Sequence, residues 1–195
     1  MKIVNYISYN AGNVISLKNS LVKLNFKINE VKQPKDIIND YPIVIPGVGN
    51  YGHCVSQLKK LGLYDFFKNN LNINVKVIGI CVGMQIMFSE SEESASIKGL
   101  DIFKGRIVNL KKKGLKKSPS IGWFKTYDRK KYLNKFYFIH SFGYLANDDN
   151  DNIYYKKDNL RITAVIKKKN YIGLQFHPEK SGEQGLKLLN EYLNK

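Results

Sequence analysis

Val75-Lys76-Val77-Ile78-Gly79-Ile80-Cys81-Val82-Gly83-Met84-Gln85 is the stretch that decides the fold class of this chain. Its first six residues are largely β-branched and almost continuously apolar, which suits a strand buried on both faces of a parallel sheet. After Ile80 the period changes. Met84, Gln85, Ile86, Met87 and Phe88 read as the first turns of a helix, so Cys81 falls at a strand-to-helix turn. Glycines at both second neighbours, Gly79 and Gly83, permit the close backbone approach that such a turn needs, as in the Gly-x-Ser-x-Gly elbow of α/β hydrolases. A helix N-terminus behind the thiol favours its ionised form and offers backbone N–H groups to a developing oxyanion. By itself the pentapeptide is equally consistent with a small cysteine packed between glycines, because free cysteine is often buried.

A nucleophile needs a base, and the candidates are His53, His140 and His177. His53 adjoins Cys54, and adjacent residues do not face each other on a helix, so that pair is set aside and Cys54 reads as a packed helix residue. His140 reads as a strand residue near a pocket. His177 follows the strand-like run Tyr171-Ile172-Gly173-Leu174-Gln175-Phe176 and precedes Pro178-Glu179. Proline biases the residue before it toward extended geometry, where residues two apart point the same way, so His177 and Glu179 can share a side. Glu179 can then orient the imidazole while the other ring nitrogen takes a cysteine proton. Taken alone, His-Pro-Glu also fits a solvated turn at a strand end.

A third element lies further upstream. Tyr41-Pro42-Ile43-Val44-Ile45 is another short buried-strand pattern, and it runs into Pro46-Gly47-Val48-Gly49-Asn50-Tyr51. A Gly-rich turn at the carboxyl end of a strand exposes N–H groups beside the crevice where open α/β sheets bind ligands. It could complete an oxyanion hole, or be an ordinary strand-to-helix turn.

The remaining chain orders these pieces. Lys2 to Ser8 reads as a strand, Val14 to Leu24 as a helix, Lys27 to Val31 as a strand, and Gly52 to Asn72 as two helical pieces broken near Gly62. From Asp101 to Gln175 the pattern predicts short, hairpin-like strands with turns at Lys113-Gly114, Asn147-Asp148-Asp149-Asn150 and Lys169-Asn170. Gly185 to Leu193 closes the chain as an amphipathic helix with Leu186, Leu189 and Leu193 on one stripe. The expected fold is α/β, a three-layer sandwich with a central, mostly parallel sheet extended by antiparallel strands. Repeats and linkers are not evident, so residues 1–195 are read as one domain.

Lys and Arg number 32 against 16 Asp and Glu, a net charge of +16, which raises nucleic-acid binding as a rival function. The lysines are scattered, however, with local runs such as 111–113, 116–117 and 167–169, and arginine, the favoured base reader, occurs only at Arg106, Arg129 and Arg161. The charge therefore reads as solvated surface. A chain of 195 residues buries roughly 70% of its unfolded surface on folding, ample for one core. No segment approaches a membrane span of about 20 apolar residues, and Met1-Lys2-Ile3-Val4 opens into a strand without a signal-peptide pattern. The 2 cysteines look unpaired and point to a reducing cytoplasm. No metal-ligand constellation or cofactor site is expected.

Taken together, Gly79-Ile80-Cys81-Val82-Gly83-Met84-Gln85 and Phe176-His177-Pro178-Glu179-Lys180-Ser181 resemble the nucleophile elbow and the His/Glu end of class I, triad-type glutamine amidotransferases, whose fold is flavodoxin-like. Tyr9-Asn10-Ala11-Gly12-Asn13, Pro46-Gly47-Val48-Gly49, Ile121-Gly122-Trp123 and Phe138-Ile139-His140-Ser141-Phe142 resemble the branch formed by the glutaminase subunits of imidazole glycerol phosphate synthase. The pyridoxal-phosphate branch instead carries Gly-Gly-Glu-Ser at the position of residues 46–49, and the anthranilate and carbamoyl-phosphate branches usually carry histidine at the position of Met84.

The resemblance covers essentially the whole chain and implies a role for each matching residue. Cys81 would attack the side-chain amide of L-glutamine, His177 would shuttle protons and Glu179 would orient His177, giving a glutamyl thioester and ammonia. Val82 and the Val48-Gly49 turn would form the oxyanion hole. Gly47, Gly49, Gln85, Ser141 and Phe142 would hold the glutamine. Asn13, Trp123, Tyr137 and Lys180 would face a (β/α)8-barrel synthase subunit, making a cytoplasmic heterodimer of histidine biosynthesis. The chain departs from the family at Pro119-Ser120-Ile121-Gly122-Trp123-Phe124, where Pro-His-Met-Gly-Trp-Asn is usual, at Asn10, usually glycine, and at Asn50, commonly alanine. Those departures lie toward the partner side, and similar subunits feed ammonia to N-acetyl sugar amidotransferases, an alternative acceptor. A cysteine hydrolase of γ-glutamyl or peptide substrates on the same scaffold is a further alternative.

Overall fold

The structure, a computed structural model, describes residues 2–9, 15–47, 49–70, 73–129, 131–146 and 153–194. In chain order the first half consists of β1 (Lys2–Ile7), α1 (Ile15–Lys23), β2 (Phe26–Val31), β3 (Ile43–Ile45), α2 (Tyr51–Lys60), α3 (Leu63–Asn69), β4 (Val77–Ile80), α4 (Val82–Gln85) and β5 (Phe88–Ser91). There follow β6 (Phe103–Asn109), β7 (Ser120–Asp128), β8 (Lys131–His140), β9 (Phe142–Gly143), β10 (Ile153–Lys157), β11 (Leu160–Lys168), β12 (Tyr171–Leu174) and α5 (Gly182–Asn194). Among the described residues, nine strands form one mixed sheet in the order β2-β1-β3-β4-β12-β11-β10-β7-β8, and β5, β6 and β9 form a second, small one.

The expected α/β class with a parallel centre and antiparallel extension is what the structure has. From β2 to β12 every neighbouring pair is parallel, and from β12 to β8 every pair is antiparallel. The reason is local. Strands β3, β4 and β12 are buried at every position, so each reads as a continuous apolar run. Strands β7 and β8 alternate along much of their length, with Thr126, Phe136 and Phe138 inward and Lys125, Lys135 and Ile139 outward. One hydrophobic cluster runs from Val4 in β1 to Leu193 in α5. No helix among the described residues is long and apolar enough to cross a membrane.

The break near Gly62 is real, because Gly62 takes a left-handed conformation, φ 69°, as the cap of α3. Two expectations are corrected. The helix read over Met84 to Phe88 is a single turn, Val82–Gln85, and Phe88 instead opens β5. The carbonyls of Ile86 and Met87 accept N–H groups from Leu100, Ile102 and Phe103 at 2.8–3.0 Å, which captures the acceptors a longer helix would use. Nor are all strands after Asp101 short: β7 and β8 are a hairpin of nine and ten residues. The turn expected at Asn147–Asn150 lies outside the described residues.

Candidate active site

Three neighbouring parallel strands end together at one edge of the sheet. Ile45 of β3 pairs with Gly79 of β4, and Ile80 of β4 pairs with Leu174 of β12. The residues that follow, Pro46 and Gly47, Cys81, and Gln175 to His177, therefore emerge side by side at the carboxyl ends, where open α/β sheets bind ligands. The Cys81 N–H donates to the Leu174 carbonyl at 2.7 Å, joining two of these segments directly. Cys81 itself sits at φ 53°, ψ −111°, a region that non-glycine residues rarely occupy and that is found where a turn is over-determined by its surroundings. The flanking glycines are required by contact. A Cβ on Gly83 would stand 2.1 Å from the Ile45 carbonyl oxygen, and one on Gly79 would stand 2.5 Å from that of Gly83.

His177 is set by its neighbours as firmly as Cys81 is by its turn. Its backbone is extended, φ −96°, ψ 99°, and Pro178 begins a short 3-10 turn. The Tyr137 carbonyl accepts the His177 N–H at 3.0 Å, the Tyr137 N–H donates to Ser181 Oγ at 2.9 Å, and the Ser181 hydroxyl donates to the His177 carbonyl at 2.6 Å. Strand β8 and Ser181 thus bracket the turn. Nδ1 of His177 lies 2.7 Å from Glu179 Oε1, leaving Nε2 for Cys81, which lines one cavity with His177. Burial works to lower the His177 pKa, but Cys81 and Glu179 outweigh it and raise it to about 10. The second Glu179 oxygen is buried without a hydrogen-bond partner, so the charge of this carboxylate is met by the imidazole.

A cavity of about 340 Å³ opens beside the sulfur. Of the residues expected at the site, Gly47, Gly49, Cys81, Val82, Gln85, Ser141, Phe142 and His177 line it together, and Glu179 stands behind His177. Lys180, expected to face a partner, is exposed and also lines the cavity. Trp123 and Tyr137 do not line it: they pair across the β7–β8 hairpin with rings edge to face, 6.0 Å apart. Val48 and Asn13 lie outside the described residues.

Gln85 is partly committed, since its Nε2 donates to the Phe142 carbonyl at 2.8 Å and to Gln175 Oε1 at 3.1 Å. Only its oxygen is left for a ligand. His140 ends β8 and is no base: burial lowers its pKa to about 4 and keeps the ring neutral. With the Phe142 carbonyl 2.8 Å from Nδ1, that nitrogen must donate, so Nε2 accepts the Tyr155 hydroxyl at 2.9 Å. The Tyr155 oxygen in turn receives the Ser120 hydroxyl at 3.1 Å. The Ser141–Phe142 wall is thereby tied into the sheet.

Sequence reading missed Glu93, which lines the cavity and accepts the Tyr51 N–H at 2.8 Å just beyond the Gly47–Gly49 turn. Nothing in its local pattern marks it, because it is brought in by the chain beyond β5. It also missed Gln175, whose signal was present: it stands two residues before His177 in an extended run, on the same side.

Residues 3–194 match the family model described as glutamine amidotransferase class-I. The imidazole glycerol phosphate synthase subunit HisH of Methanocaldococcus jannaschii is 36% identical over 200 residues, covering 98% of this chain and 98% of that one. The imidazole glycerol phosphate synthase hisHF of Emericella nidulans is 32% identical over 212 residues, covering 100% of this chain and 38% of that one. Among solved structures, that of PurLQS from Thermotoga maritima contains a chain with TM-score 0.70 and 20% identity, covering 99% of this chain and 98% of its own length, a likeness of fold alone. With a family match over nearly its whole length and relatives above 30% identity, this chain belongs to the class-I glutamine amidotransferase family.

Proposed function

We propose that this chain is the glutaminase subunit of an imidazole glycerol phosphate synthase, a single domain that releases ammonia from L-glutamine for a (β/α)8-barrel synthase subunit in the histidine pathway. The observation that carries the reading is Cys81 and His177 together on the wall of an amino-acid-sized cavity, with Glu179 against the far ring nitrogen of His177. Relatives that span the whole chain bear the name of that synthase, and in the Emericella nidulans protein the matching part is a minority of one longer polypeptide, which supports a glutaminase working beside a synthase unit.

The chemistry follows from the geometry. The thiol proton rests on His177, whose pKa is raised to about 10, and the Cys81 thiolate attacks the γ-carboxamide carbon of glutamine, forming a tetrahedral oxyanion. N–H groups of Val82 and of the Gly47–Gly49 turn face the oxygen. Collapse breaks the C–N bond, and His177 returns its proton to the leaving nitrogen, giving ammonia and a glutamyl thioester. Water, deprotonated by His177, then cleaves the thioester to glutamate and free Cys81. The α-ammonium of glutamine is held by acceptors only, Glu93 and the uncommitted oxygen of Gln85. Its carboxylate lies along the backbone at Ser141 and Phe142.

The partner docks on the outer face of the β7–β8 hairpin, where Ile121, Trp123 and Ile139 expose 49%, 52% and 37% of their surface. Ile139 also lines the cavity, so this face adjoins the site of ammonia release. The subunit acts in the cytoplasm. Ammonia release from glutamine, measured with and without the synthase subunit, tests the reading: release should rise on addition of the synthase and vanish in Cys81→Ser. Stimulation by an N-acetyl sugar amidotransferase instead would redirect the ammonia to another acceptor, and no release with either partner would defeat the glutaminase reading.

A further inference from the structure

Two residues of the β12 extension reach the sulfur. His177 is one; the other is Gln175, fully buried, whose Nε2 lies 3.8 Å from Cys81 Sγ. Which end of a carboxamide faces a neighbour is fixed by its partners, and here the partners leave no choice. The Phe142 carbonyl can only accept, so the Gln85 end against it must be the nitrogen. That same nitrogen lies 3.1 Å from Gln175, so the Gln175 end facing it must be the oxygen. The Gln175 nitrogen is then turned to the sulfur, where the thiol or thiolate is the acceptor. A further polar neighbour of Sγ, the Ile139 carbonyl at 4.0 Å, is an acceptor and can serve the thiol only.

We propose that Gln175 is a further catalytic residue: its side-chain N–H donates to the Cys81 sulfur and favours the thiolate, and Gln85 and the Phe142 carbonyl lock the amide in the donating orientation. This role rests on the glutaminase reading of the same site and adds to it. A donor to the ionised form stabilises that form, and at a nucleophilic cysteine this sets how much thiolate is present at neutral pH. The contact is long for the thiol and shortens as charge develops, as hydrogen bonds in unliganded active sites do. The lock also connects chemistry to binding. Gln85 contributes its oxygen to the substrate cavity and its nitrogen to both Phe142 and Gln175, so the group that meets glutamine is the one that holds the sulfur's donor in place.

The test is the pH dependence of iodoacetamide alkylation at Cys81, followed on its own peptide by mass spectrometry in the full chain. Wild type is compared with Gln175→Met, which keeps the bulk and removes the donor, and with Gln175→Glu, which places an acceptor against the sulfur. At pH 7 alkylation should slow about tenfold in Gln175→Met and more in Gln175→Glu, with the midpoint of the pH profile moved upward by about one unit in Gln175→Met. Profiles with the wild-type midpoint in whichever variant folds overturn the proposal, even if glutamine turnover is lost, since that outcome marks a packing role. Partner-stimulated ammonia release by wild type, measured in parallel, tests the glutaminase reading on its own.

Discussion

Cys81 holds a backbone conformation that side chains avoid, and Glu179 leaves one carboxylate oxygen buried without a partner. Both costs fall beside one group, the His177 imidazole, where the chemistry is proposed. Glu179→Gln keeps a group able to face Nδ1 and removes the charge, so partner-stimulated ammonia release should fall about 10²- to 10³-fold with the melting temperature little changed. His140 gives a second, independent prediction. Burial lowers its pKa to about 4 from the usual 6.5, the Phe142 carbonyl bond opposes that, and the charges of His177 and Lys157 add to it. Since the folded state holds this proton more weakly, its contribution is complete above about pH 6.5 and is lost as pH falls toward about 4. Urea titrations at pH 7 and pH 4.5 should show an acid loss on the order of 3 kcal/mol in wild type that is largely missing in His140→Gln. The residue types themselves were legible: the spacing of Gly79, Cys81 and Gly83, and of His177 and Glu179, is visible in the sequence. Glu93 was not, because a lone glutamate on a strand-to-loop segment has no pattern until the fold brings it to Tyr51.

At the scale of elements, strand ends and one hairpin make the site. Strands β3, β4 and β12 deliver the glycine turn proposed for the oxyanion, the cysteine and the histidine, and β8 brackets the histidine turn from the side. The β10 residue Tyr155 joins β7 to the end of β8 through Ser120 and His140, which fixes the Phe142 carbonyl and with it the binding wall. Tyr155→Phe should therefore raise KM for glutamine roughly three- to tenfold while changing kcat less, since a single buried hydrogen bond lost at a positioning group is worth about 1 kcal/mol; steady-state kinetics with the partner present decide it. Most of these elements were legible from period and turn residues. The helix after Cys81 was not, because its carbonyls are taken by residues 100–103, a long-range pairing that outweighs local propensity. The lengths of β7 and β8 were hidden for a related reason, since their alternation is broken by exposed Ile121, Trp123 and Ile139.

At the scale of the whole molecule those same three side chains form an apolar outer face on an otherwise strongly basic protein, continuous with the cavity through Ile139. Trp123→Ala should weaken association with the synthase subunit roughly 30-fold, about 2 kcal/mol, and leave the melting temperature of the isolated chain nearly unchanged, because half of the ring is already in water; titration calorimetry and thermal melts check both. Local pattern was enough for the α/β class, the parallel centre and the candidate nucleophile and base, because burial on both faces of a strand and a tight turn each demand residue types that a short stretch reveals. Folding in three dimensions sets which groups meet the sulfur, which end of each carboxamide donates, and that Lys180 reaches the cavity. Those are matters of distance between residues far apart in the chain, set by strand order and by hydrogen bonds that must all be satisfied at once in a buried space.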